Sequence, residues 1–129
     1  MSKLKLVLKG QWYGMIATNQ KREEYREVTP FWLSRLLTWN DGETLPDYFA
    51  TDEIYTEILR KKLDEKAAGS KNREIRYKND DVEFYLGYAT NRPSMTWKIE
   101  SIRIAEGNPV WGAEPGKRYF VIKLGERLA

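Results

Sequence analysis

Hydrophobic and polar positions alternate from the start of the chain. Leu4, Leu6 and Leu8 interleave with Lys5, Val7 and Lys9, a period of two that predicts a half-buried strand. Gly10 breaks it. Trp12, Met15 and Ile16 then fall at helical spacing, with Asn19 or Gln20 as the stop, since asparagine tolerates the left-handed conformation at a helix end. Glu23 to Val28 reads as a second strand, with Glu24, Arg26 and Val28 on one face and Glu23, Tyr25 and Glu27 on the other. Thr29-Pro30 opens a short helix with Phe31, Trp32, Leu36 and Leu37 on its apolar side.

Residues 38–50 read as a loop. Thr51 looks like the N-cap of a helix striped by Ile54, Tyr55, Ile58, Leu59 and Leu63 and stopped by Gly69. Val82, Phe84, Leu86 and Tyr88 alternate as a strand. So does Met95 to Ile104, with Thr96, Lys98, Glu100, Ile102 and Ile104 on one face. Pro115-Gly116 suits a type II turn before a last strand, Arg118 to Leu124. Short strands mixed with helices predict an α+β fold, a small β-barrel with flanking helices. One domain over 1–129 is expected, with a helical insertion at 38–81.

Composition narrows the chemistry. There is no cysteine, so disulfides, thiolate catalysis and Cys-based zinc sites are excluded. There is no histidine either, which excludes a Ser-His-Asp triad and His-ligated metals. Acid–base work falls to carboxylates, lysine, tyrosine or water. The net charge of +3 permits RNA or nucleotide partners without demanding them. No apolar run approaches a membrane span, and Met1-Ser2-Lys3 leads straight into a strand, so a cytoplasmic protein without a membrane association or signal peptide is expected.

The densest charge lies at Lys21-Arg22-Glu23-Glu24-Tyr25-Arg26-Glu27, where a core strand would be apolar. Lys21, Glu24 and Arg26 are positioned to converge on a polar ligand. Parity opposes Lys21 meeting Glu24 on a regular strand, so it must join from the turn before it or through a bulge. Asn19-Gln20-Lys21-Arg22-Glu23-Glu24-Tyr25-Arg26, after a strand and short helix, resembles the Gly-x-Lys-x-x-Glu-x-Arg signature of the ASCH family, with Asn19 at the glycine position. Met95 to Ile102 and Tyr119 to Leu124 resemble that family's later strands.

The resemblance implies a PUA-like barrel and an RNA- or nucleoside-binding module with a polar cleft. One branch of the family is implied to hydrolyse N4-acetylcytidine with a lysine, a threonine three residues on and a glutamate on a later strand. Lys21 and Glu100 match two of these, and Glu24 stands at the threonine position. Lys21, Glu24 and Glu100 are therefore the candidate catalytic residues of a hydrolase acting on N4-acylated cytidine or on RNA. Arg26, Tyr25, Trp111 and Tyr13 are candidate ligand contacts. No cofactor is required, although Glu24 and Glu100 could hold magnesium or manganese between them. The competing reading is structural: Glu24 paired with Arg26 or Lys21, Glu100 with Lys98, and Trp111 folded down as a plug rather than exposed for stacking. Lys71, Arg73, Arg76 and Lys78 form a local basic cluster, with Glu74, Asp80 and Asp81 among them.

Overall fold

The computed structural model describes residues 3–50, 75–88 and 90–129. The described residues form a small α+β fold with a curled sheet and two α-helices. The chain divides into two compact units, Met1–Tyr25 with Asn79–Ala129, and Arg26–Lys78. The expected insertion at 38–81 falls largely within the second.

The first unit holds a five-stranded sheet. Its strands are β1 (Leu4–Leu8), β2 (Glu23–Arg26, of which Arg26 belongs to the second unit), β5 (Asp81–Leu86), β6 (Ser94–Glu106) and β7 (Arg118–Arg127), in the order β1-β5-β6-β7-β2. β1 runs parallel to β5, with Leu6 opposite Phe84, while β5–β6 and β6–β7 are antiparallel. The period-two leucines of β1 are all buried, as alternation requires, and Val82, Phe84, Met95, Phe120 and Ile122 complete the core. β5 stops at Leu86. Gly87 takes a positive φ of 66° and Tyr88 is exposed, so the expected alternation through Tyr88 ends one pair early.

β6 departs from simple alternation. Trp97 faces Arg127, Ile99 faces Leu124 and Ser101 faces Lys123, so the register slips one residue on β7 and then one back on β6. The extra residue on β6 flips its parity. Ile99 and Ile102 are both buried, and Glu100 between them points out. Glu100 therefore does not share a face with Ile102 and Ile104.

Helix α1 (Gly10–Ala17) buries Ile16 and ends in a tight left-handed cap. Asn19 has φ 64°. Its N–H reaches the Ile16 carbonyl at 3.1 Å, and the Gln20 N–H reaches that of Met15 at 2.8 Å, which is the Schellman arrangement. The Lys21 N–H closes on the same Met15 carbonyl at 3.0 Å. Asparagine thus supplies the left-handed conformation that this helix end needs.

In the second unit α2 (Pro30–Leu36) starts as expected. The Thr29 Oγ1 accepts from the Trp32 N–H and Pro30 occupies the first turn. Leu33 and Leu36 are its buried side, while Phe31 is exposed. The supposed loop after it contains β3 (Leu37–Trp39), paired antiparallel with β4 (Ile75–Tyr77), and a 3-10 turn at Asp47–Ala50. Sequence separation hid that pairing, since neither strand is longer than three residues. The helix expected from Thr51 to Gly69 lies outside the described residues, as do Lys71 and Arg73.

Candidate functional site around Lys21 and Glu24

Lys21 sits in the turn between the α1 cap and β2, where the Schellman bonds hold its backbone. From there its side chain turns inward. Only 2% of the residue is exposed, and Glu24 is 5% exposed. The Lys21 Nζ and Glu24 Oε1 are 3.1 Å apart. The parity problem is solved by the turn, one of the two routes the sequence allows. The buried pair must be well satisfied, because taking two charges out of water costs several kcal/mol each. A further partner is present: Nζ donates to the Trp111 carbonyl at 2.7 Å. Two rings add to it, with Nζ 4.9 Å from the Trp12 ring and 5.0 Å from the Tyr25 ring.

Trp111 closes this group. It ends a 3-10 turn over Pro109–Trp111 capped by Asn108, whose Oδ1 accepts from the Val110 N–H. The Trp111 indole N–H donates to the Gln20 carbonyl at 2.8 Å. Gly112 follows with φ 99°, and a Cβ there would fall 2.9 Å from the Trp12 ring. Only glycine fits that contact in that conformation. Trp111 is thus folded onto the α1–β2 junction, half-buried, rather than held out as a free platform.

Tyr25 forms a wall beside the pair. Its hydroxyl donates to Glu23 Oε1 at 2.8 Å and accepts from the Asn108 N–H at 2.9 Å. Glu23 is held in turn by Arg103 at 2.9 Å. The Tyr25 ring packs on Tyr119 with centroids 5.6 Å apart. Burial, reinforced by the Glu23 hydrogen bond and charge, pushes the Tyr25 phenol well above its ordinary range. Tyr25 therefore has its hydroxyl engaged from both sides and its ring buried. Tyr13, on α1, is half-buried.

Glu100 is elsewhere. It is exposed at the β6 bulge, and its carboxylate pairs with Lys123 at 3.7 Å rather than with Lys98, Lys21 or Glu24. Of the expected Lys21, Glu24 and Glu100, the structure brings the first two together, while Glu100 pairs with Lys123. Among the described residues no group of three or more acidic residues is placed to hold a metal ion. Arg26 lies in the second unit, with its guanidinium 5.1 Å from the Trp32 ring centre.

Three participants escaped the sequence reading: Trp12, Gln20 and Arg22. Trp12 looked like an ordinary core position of α1, and nothing local announces its partner a hundred residues away. Arg22 donates to Asn19 Oδ1 and to the carbonyls of Leu124 and Gly125, which fastens the turn carrying Lys21 to β7. No local pattern encodes those carbonyl partners about a hundred residues away.

No family model, curated protein or solved structure matches this chain. Among the described residues no helix is long and apolar enough to cross a membrane.

Proposed function

We propose that this chain is an ASCH-type, PUA-like module that recognises RNA or a nucleoside at the Lys21–Glu24 centre. The observation that carries the reading is a buried ammonium–carboxylate pair bounded by Trp12, Tyr25 and the Trp111 loop. A nucleobase edge presents donors and acceptors side by side, and its faces stack on indole or phenol rings. Lysine supplies donors only and ionised glutamate acceptors only, so the pair answers both kinds of group. The Trp111 carbonyl occupies one lysine donor, and a base carbonyl would compete for that place. Lys21 and Glu24 stand at two of the positions that the ASCH resemblance singles out; of the others, Arg26 lies in the second unit and Glu100 pairs with Lys123.

Titration of nucleosides and a labelled single-stranded RNA into the protein, followed by tryptophan fluorescence and anisotropy, tests this. Saturable binding without turnover is expected, weakened by Trp111→Phe and by Glu24→Gln in folded protein. Absence of binding to every nucleoside and to RNA overturns it. N4-acetylcytidine and RNA are incubated alongside, with and without magnesium. Turnover that Glu24→Gln loses and Glu100→Gln keeps makes the same centre a hydrolase, and replaces the binding reading.

A further inference from the structure

We propose that Arg22, held by Asn19, is the positioning residue of the Lys21–Glu24 centre: it fixes the turn from which the Lys21 ammonium reaches its carboxylate. The proposal rests on the reading above for what the centre binds, and its geometry lies within the first unit. Lys21 and Arg22 are neighbouring cations with different surroundings. Lys21 is buried against Glu24, whereas Arg22 gives its guanidinium to three oxygens. Nη1 donates to Asn19 Oδ1 at 2.9 Å, and Nη2 donates to the carbonyls of Leu124 at 2.9 Å and Gly125 at 2.8 Å. The Arg22 carbonyl accepts from the Leu124 N–H at 3.0 Å. The guanidinium also lies 5.3 Å from the Trp97 ring centre.

These contacts bear on the residue before. The Lys21 N–H is tied to the Met15 carbonyl on the helix side, and Arg22 ties the other side of the turn to β7. A lysine side chain is long and loses much rotamer freedom when held in one place, so the backbone that carries it must not drift. Arginine suits the anchoring position because its planar fork aims donors in fixed directions, here at Asn19 and at two successive carbonyls. Asn19 gains a second task from the same geometry. Glycine would adopt its φ of 64° at less cost, but has no side-chain oxygen for Arg22.

The test reads the Lys21 ammonium directly, by nitrogen–proton correlation NMR of the side-chain ammonium groups in lysine-labelled protein without ligand. The signal is assigned by its proximity to the Trp12 and Tyr25 ring protons. A slowly exchanging signal is expected for the parent. Arg22→Gln and Asn19→Gly are each expected to speed its exchange with water about tenfold, the scale of one lost hydrogen bond to a charged group, while thermal melts show both variants folded. Arg22→Lys keeps the charge but not the fork, and is expected to speed exchange as well. Parent exchange as fast as that of an exposed lysine overturns the proposal. So does an unchanged rate in Arg22→Gln, even where that variant melts earlier, because Arg22 then supports the fold without placing Lys21. Full rescue by Arg22→Lys overturns the role of the fork. Nucleoside titration of the same samples judges the reading above separately. Binding that Arg22→Gln keeps at parent affinity overturns the positioning role and leaves that reading standing. A parent that binds nothing removes that reading, and the ammonium signal still decides whether Arg22 holds Lys21 in place.

Discussion

Lys21 and Glu24 lie 3.1 Å apart with side chains 1% and 6% exposed, whereas Lys123 and Glu100 lie 3.7 Å apart with side chains 48% and 54% exposed. The chemistry is the same and the surroundings are opposite. Water solvates the second pair whether or not its members meet, so the contact adds little. The first pair is almost wholly shielded from solvent. Each member depends on the other, and Lys21 also on the Trp111 carbonyl. A functional reading from sequence treats Glu100 and Glu24 alike, as carboxylates near a lysine. Burial separates them.

Removing one partner from each pair gives the sharpest contrast. Lys21→Met leaves Glu24 buried beside an apolar chain and releases the Trp111 carbonyl, so a loss of about 3–5 kcal/mol in chemical denaturation is expected. Adding Glu24→Leu to Lys21→Met should restore part of that loss, because the stranded charge is gone. A double variant no better than the single would mean that the pair is not the source of the effect.

Tyr25 comes next. Tyr25→Phe removes a hydroxyl that serves Glu23 and the Asn108 N–H, and about 1–2 kcal/mol is expected to go at neutral pH. The pH dependence carries a sign. The folded phenol sits above its unfolded value of 10.0, so the folded state holds its proton more tightly. Its contribution is whole below about pH 10 and declines as pH rises beyond that. The parent should lose stability above about pH 10, and Tyr25→Phe should lose less over that range. Parallel alkaline profiles would contradict this.

Glu100→Gln is the smallest expected effect. It should move stability by less than about 0.5 kcal/mol, and the difference should shrink in high salt. A larger loss would mean that Glu100 does more than pair with Lys123.

The strands β1, β5 and β7 were legible because alternation is a local property, and so were both helix starts. The Asn19 cap was legible for the same reason. Lys21 was one of two partners the sequence left open for Glu24, and the turn one of two routes that parity allows. What could not be read were partners far along the chain. The bond from Lys21 to Trp111 spans ninety residues, and no local pattern encodes it. Glu100 was misplaced by a bulge that alternation cannot reveal, since Ile99 and Ile102 fit either parity. β3 and β4 were missed because three residues are too short to show a period.

The slip in β6 has a bearing on how this chain tolerates changes in length. One residue in excess on β7 near Gly125 is offset by one in excess on β6 at Glu100, so the ladder is in step again from Ser101 onward. Deleting Glu100 alone would leave the excess on β7 uncancelled and push one end of a long hairpin out of step with its neighbour. Deleting Glu100 together with Gly125 would shorten both arms equally and restore a continuous ladder. Length variation at these two places is therefore expected to be inherited in pairs.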